Sequence, residues 1–472
     1  MIALLAPLAL LLTSAGGPAS FPSDEGSLVG GEGDEPTASD ETRPRGGYEV
    51  EGPFAVLPER ERAEAVNRML RDRLDRLLPA LMRETGIDMW LVLNREYAED
   101  PVYLTLVPEP VFAARRTTML VFFDRGGDEG VERLTVSRYA LGDVYESAWD
   151  GGSDDEQWAR LAEVIAERNP KRIGVNTSKH WAFGDGLSSG LRARLETALG
   201  GDMAGRLTSA ESLCIRWLET RTDLEMQVYP QLVHLARSVI AEGFSSEVIT
   251  PGVTTTDEVR WFLRQRFTDL GLPAWFQPYC NVQREGLLPP DGTSFYGANG
   301  VVIERGDVLH TDVGIRYMRL NTDTQEMAYV LRISEDEVPE GLRNAMAVGN
   351  RWQDHLTDSF VLGRTGNEIL AATRRASEAE GIVCSVYTHP LGFYGHAAGP
   401  TIGMWDNQGP TPIRGDWPLH ADTCYAIEGN VLVPVPEWGG QPVQMKLEQD
   451  AWFDGEAVHY IGGRQTTWHL VR

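Results

Sequence analysis

The segment Val308–Leu331, VLHTDVGIRYMRLNTDTQEMAYVL, does most to narrow what this chain can fold into. It carries two aspartates, Asp312 and Asp323, inside an alternating, strand-like run where aspartate is ordinarily depleted. If the run folds back near Tyr317–Met318, the two face each other across a hairpin, with Cβ atoms about 4.5–5.5 Å apart. Two carboxylates at that separation repel, and burying them is costly. A divalent cation held between them removes that cost. A solvated hairpin with two exposed acids is the alternative.

The 472 residues are enough for two or three domains. A hydrophobic content of 42% and a charged content of 24% fit a globular chain with a packed core. A net charge of −26 and a pI near 4.8 argue against a nucleic-acid or anionic-membrane partner. Residues 1–20, MIALLAPLALLLTSAGGPAS, predict a secretory signal peptide and hence an exported protein, periplasmic or extracellular, although no Lys or Arg precedes Arg43. The apolar run is too short to span a bilayer comfortably. Residues 21–54, rich in Gly, Pro, Ser and acids, read as a disordered leader. Cys214, Cys280, Cys384 and Cys424 lack the CxxC spacing of a zinc knuckle. Disulfides and buried free thiols both stay open for them.

Residues 55–215 read as an α/β domain. Val66, Met69, Leu70, Leu74, Leu77, Leu78 and Leu81 follow helical spacing, with an interruption expected at Pro79. Strands are expected at 87–93, 119–123, 134–136 and 172–175, and a helix at 158–167. Gly186-Leu-Ser-Ser-Gly190 fits the G-x-S-x-G nucleophile pattern, but HWAFGD before it makes a poor buried strand, so Ser188 or Ser189 reads as a helix cap.

Residues 219–472 form a second region. A helix over 223–242, broken or kinked at Pro230, precedes a capping box at Thr255-x-x-Glu258 and a closing Gly271. The signature returns 110 residues later as Thr365-x-x-Glu368 and Gly381. Two related helix–helix–sheet halves are implied, with a cleft between them where a ligand would lie. The second half holds His396 in GHAAG, Glu428 in the apolar run TCYAIEGNVLV, and Glu448 in VQMKLEQDAWF. Singly, each is ordinary.

Taken in order, Asp312, Asp323, His396, Glu428 and Glu448 resemble the ligand set of the M24 metallopeptidase family, which includes methionine aminopeptidases, prolidases and aminopeptidase P. The resemblance covers roughly 219–472, and residues 55–215 are similar to the creatinase-type N-terminal domain of the longer members. It implies an α/β creatinase-type domain followed by an α+β pita-bread catalytic domain with a pseudo-twofold antiparallel sheet. It also implies two divalent metal ions. Oxygen-rich donors favour manganese, with cobalt, zinc or iron as alternatives. Asp323 and Glu448 would bridge the ions, Asp312 would complete one sphere, and His396 and Glu428 the other. Glu428 would also move the proton of the attacking water.

The substrate implied is a small peptide, cleaved at its N-terminal bond and with proline favoured in second position. A homodimer is a further implication. Members also carry a histidine seven residues after the ligand histidine, here Gly403 with Asp406 just beyond. They carry another 17–18 residues before the first Asp, here Phe295 and Ser294. His389, seven residues before His396, is therefore a candidate catalytic imidazole. Those departures leave open a catalytically silent peptide or partner binder, and a metal-independent hydrolase of the creatinase type. Trp405, Trp417 and Trp438 are candidates for a substrate wall or for core packing.

Overall fold

The helical spacing at Val66, Met69 and Leu70 is the buried face of α1 (Glu59–Asp72). The computed structural model describes residues 56–287 and 300–472. The leaders over 1–20 and 21–54, and the positions Ser294 and Phe295, lie outside these residues. A π-helical turn over Arg73–Leu77 follows α1 and leads into α2 (Leu78–Thr85). Pro79 sits in the first turn of α2, directly after this π turn, and the chain stays helical through Leu77 before it. The irregularity expected at Pro79 therefore falls one turn earlier.

Strands β1 (Met89–Arg95), β2 (Thr117–Asp124), β3 (Val131–Ser137), β4 (Glu146–Ser147), β5 (Ile173–Val175) and β6 (Leu207–Ser209) form a mixed sheet in the order β4–β3–β2–β1–β5–β6. The apolar run MWLVL in β1 is buried on both faces. Helices α3 (Tyr103–Leu106), α4 (Asp154–Arg168), α5 (Ser189–Ala204) and α6 (Glu211–Glu219) belong to the same stretch. Ser188 caps α5 by accepting from the Leu191 N–H, and a 3-10 turn rather than a strand precedes it. The GLSSG motif is thus a cap and not a nucleophile elbow.

Helix α7 (Asp223–Gly243) runs past Pro230 without breaking. Met226, Tyr229, Leu232 and Val233 are buried on both sides of the proline, and that packing outweighs the lost hydrogen bond. After α8 (Thr256–Asp269) come β7 (Tyr279–Gln283), β8 (Val308–Val313), β9 (Arg316–Tyr317), β10 (Leu320–Asn321) and β11 (Thr324–Val330). Helices α9 (Glu340–Thr357) and α10 (Gly366–Ala379) precede β12 (Cys384–Val386), β13 (His389–Leu391), β14 (Thr423–Pro434), β15 (Pro442–Phe453), β16 (Val458–Tyr460) and β17 (His469–Val471). These build a nine-stranded sheet along β12–β14–β15–β11–β8–β7, with β13 on β14, β16 on β15 and β17 on β11. An apolar core of Trp352, Ile427, Val431 and Leu447 seats α9 and α10 against it.

Both halves of the repeat are present. Thr255 and Thr365 each accept from the N–H of the glutamate three residues on, and each glutamate reaches back to the cap N–H. Gly271 and Gly381 then take left-handed φ of 70° and 72°. Thr255→Ala and Thr365→Ala are each expected to cost about 1 kcal/mol of stability. The double variant should sum the two, since the sites share no partner. Urea denaturation checks this, and unchanged midpoints would contradict it.

The central hairpin has a different register from the one its sequence suggested. Asp312 lies opposite Gln325 rather than Asp323, and Tyr317 opposite Leu320. The turn falls on Met318–Arg319, both with positive φ (49° and 71°). That is the two-residue geometry whose twist suits a hairpin. Alternation fixes the face but not the turn position, so Asp323 stays on the same face as Asp312, as its diagonal neighbour.

Cys214, Cys280 and Cys424 are buried free thiols and Cys384 is half-buried and free. Among the described residues no helix is long and apolar enough to cross a membrane.

Candidate metal centre

Four adjacent strands present one row of side chains. The register sets Asp312 on β8 opposite Gln325 on β11, Gln325 opposite Glu448 on β15, and Glu448 opposite Glu428 on β14. Asp323 enters just before β11. On the far side β13 pairs with β14, and His389 stands opposite Ala426, two residues before Glu428. The His389 Nε2 lies 3.5 Å from Asp323 Oδ2, 3.6 Å from Glu448 Oε1 and 3.7 Å from Glu428 Oε2. Three overlapping groups each offer ligand atoms within 4.8 Å of one another: Asp312, Asp323 and Glu448; His389, Glu428 and Glu448; Asp323, His389 and His396. All five residues singled out as ligands, together with His389, therefore converge.

The two histidines exchange parts. His389 is a buried strand residue at the centre of the carboxylates. Its Nδ1 is 3.1 Å from the Pro390 carbonyl, which can only accept, so Nε2 keeps its lone pair toward the cluster. His396 is the exposed residue of an otherwise largely buried loop after β13, its ring 4.6 Å from that of His389, and it joins only one of the three groups. His389 belongs to two of the three groups and His396 to one, so the imidazole at the centre of the carboxylates is His389, with His396 seven residues after it. The Gly-rich surroundings of His396 drew the assignment there. The β13–β14 pairing that decides the matter is not written in local sequence.

Burial, and then the charge of Glu448, push the carboxyls of Asp312, Asp323 and Glu428 well above the usual carboxylate range. Burial works to lower the His389 imidazole, yet facing Glu448 and Glu428 carries it above its ordinary value. The cluster therefore favours positive charge at its centre. Burial, with His389 beside it, lowers His396 to about 4. Asp312 Oδ1, Asp323 Oδ1, Glu448 Oε1 and His389 Nε2 are buried and have no hydrogen-bond partner among the described residues. Orphaned acceptors aimed at one point, of mixed carboxylate and imidazole type, fit divalent cations.

Several supporting residues escaped the sequence reading. The Gln325 amide nitrogen is 2.6 Å from Glu428 Oε1 and 2.8 Å from Glu448 Oε2. Asp450 accepts from the Asp323 N–H and the Thr324 hydroxyl, at 3.0 and 2.9 Å. Trp275 packs on His396 at 5.3 Å and donates to the Thr322 carbonyl. A Cβ at Gly314 or Gly395 would lie 2.1 Å from the Trp275 indole, so both glycines are needed to admit it. The pair Trp275-Phe276 between a helix and a strand was the available signal. Of the three tryptophans read as a substrate wall or as core packing, Trp438 is buried in the core, Trp417 bonds to Glu219, and Trp405 is exposed.

Residues 231–450 match metallopeptidase family M24. Among solved structures the chain is similar to an X-Pro aminopeptidase from Thermotoga maritima MSB8, with 17% identity and a TM-score of 0.59, covering 83% of this chain and 100% of that one. It is similar to an Xaa-Pro dipeptidase from Bacillus anthracis, with 18% identity and a TM-score of 0.55, over 86% and 99% of the two chains. Dipeptidase PepE from Mycobacterium ulcerans gives 16% identity and a TM-score of 0.56, over 86% and 98%. These likenesses carry the fold, an α/β part followed by a pita-bread sheet. No curated protein sequence matches the chain.

Proposed function

We propose that this member of metallopeptidase family M24, matched over residues 231–450, is a dinuclear metal-dependent peptidase. It removes N-terminal residues from short peptides and accepts proline after the cleaved bond. The observation that carries the reading is the set of partnerless buried acceptors on Asp312, Asp323, Glu448 and His389 around one point. Four carboxylates balance two divalent charges, which makes their burial tolerable. Asp312, Asp323 and Glu448 would hold one ion, and Asp323, His389, Glu428 and Glu448 the other. Manganese is favoured by the oxygen-rich donors.

When bound, such ions supply the Lewis acidity that polarises a carbonyl and acidifies water. The chain's own part is positional. Glu428 has one oxygen held by Gln325 and the other facing the cluster, which suits it to receive a proton and pass it to the leaving amine. His396, neutral at pH 7 and at the open edge, can donate to the oxygen of the scissile carbonyl as charge develops there. The reading as a silent binder drew on two missing histidines, one of them seven residues past the ligand and the other at Ser294 or Phe295. With His389 as the ligand, His396 fills that spacing, which favours turnover. A cluster that prefers positive charge at its centre likewise counts against a metal-independent hydrolase.

The test is hydrolysis of Xaa-Pro and Xaa-Ala dipeptides and tripeptides by protein loaded with Mn²⁺, Co²⁺ or Zn²⁺. Release of the N-terminal residue with at least one of these metals is expected. Full loading with no cleavage of any peptide would leave the peptidase reading without support.

A further inference from the structure

Gln325 is the one neutral member of the row Asp312–Gln325–Glu448–Glu428, and it stands between carboxylates on both sides. Its amide has two N–H groups, and its nitrogen lies within hydrogen-bond distance of one oxygen on each glutamate. With cations in the centre the glutamates are ionised and only accept, so the NH₂ end faces them. The amide oxygen must then point the other way, and it meets His310 Nε2 at 2.7 Å. That nitrogen must carry the ring proton, because an amide oxygen cannot donate. The chain of donors runs in one direction, from His310 through Gln325 to Glu428 and Glu448.

We infer that Gln325, with its amide turned by His310, is a positioning residue of the metal centre. It fixes which oxygen of Glu428 and of Glu448 is left for the ions. With Glu428 Oε1 and Glu448 Oε2 engaged by the amide, Glu428 Oε2 and Glu448 Oε1 are the atoms that face His389 Nε2. The amide's position opposite both Asp312 and Glu448 also keeps a fourth negative charge out of the row. A flipped amide would set its oxygen against two carboxylates and would move the His310 proton to Nδ1, which is buried without a hydrogen-bond partner among the described residues. This inference rests on the metal-centre reading above and adds to it a role for two residues that ligate nothing.

The test reads metal binding rather than turnover. Mn²⁺ titration calorimetry and the Mn²⁺ electron paramagnetic resonance spectrum are compared for wild type, Gln325→Met, His310→Phe and His310→Gln, with thermal melting as the folding control. Gln325→Met keeps the length but loses the donors, and His310→Phe loses the N–H that holds the amide. Both should weaken Mn²⁺ binding about 10–100-fold, the range for partners one step removed from a metal, and alter the spectrum. His310→Gln, which can still donate to the Gln325 oxygen, should recover most of the affinity. The His310 pair carries the test whether or not Gln325→Met folds. Wild-type affinity and spectrum in Gln325→Met, or a His310→Gln no better than His310→Phe, would overturn the positioning role while leaving the metal centre standing. A wild type that binds no Mn²⁺ would instead overturn the metal centre itself.

Discussion

His389→Ala is expected to lose an ion and about 1000-fold in kcat/KM, equivalent to ~4 kcal/mol of transition-state stabilisation. His396→Ala is expected to keep both ions and to lose about 100-fold in kcat, as when one donor to a developing oxyanion is removed. The contrast follows from position. His389 Nε2 faces three carboxylates at 3.5–3.7 Å from β13, the short strand paired with β14. His396 stands at the rim against Trp275 and Tyr387. Metal content by atomic emission, measured alongside steady-state kinetics, separates the two variants. The reverse pattern, with metal lost in His396→Ala and retained in His389→Ala, would restore His396 as the ligand and remove the exchange of roles argued above.

The second large effect concerns stability. Arg73 and Arg221 are both buried, and each approaches the carboxylate of Glu225, at 2.9 and 3.6 Å. Both guanidinium groups also stack on Phe393, at 4.8 Å from its centroid, and Phe393 lies in the loop between His389 and His396. Glu225 further closes the capping box of α7 with Thr222. Glu225→Ala therefore strands two buried cations and uncaps a long helix. A destabilisation of about 3–5 kcal/mol is expected from the lost ion pair alone. Urea denaturation of the intact chain measures it. A loss below about 1 kcal/mol, the range of an exposed ion pair, would show that the network is not buried in solution.

Much of this was legible in the sequence, and the parts that were not have a common cause. Asp312, Asp323, Glu428 and Glu448 stood out because an acid in an apolar strand is locally anomalous. The two capping boxes were readable because a cap and its glutamate sit three residues apart. What the sequence hid was pairing over distance. The turn at Met318–Arg319 moved Asp312 opposite Gln325, and the β13–β14 pairing carried His389 to the centre. Gln325 and His310 escaped notice because a glutamine and a histidine in a strand are unremarkable until their neighbours across the sheet are known. Pro230 misled for a related reason, since the packing that keeps α7 whole comes from residues distant in sequence.

The central claim is that two divalent ions are held among Asp312, Asp323, His389, Glu428 and Glu448 and are required for peptide cleavage. The most direct measurement strips the purified chain with a chelator, titrates Mn²⁺ back by calorimetry, and follows Xaa-Pro hydrolysis at each step. The account predicts no hydrolysis in the stripped protein, binding that saturates at two ions per chain, and activity that returns with them. Hydrolysis that persists at full rate in protein free of metal would contradict it.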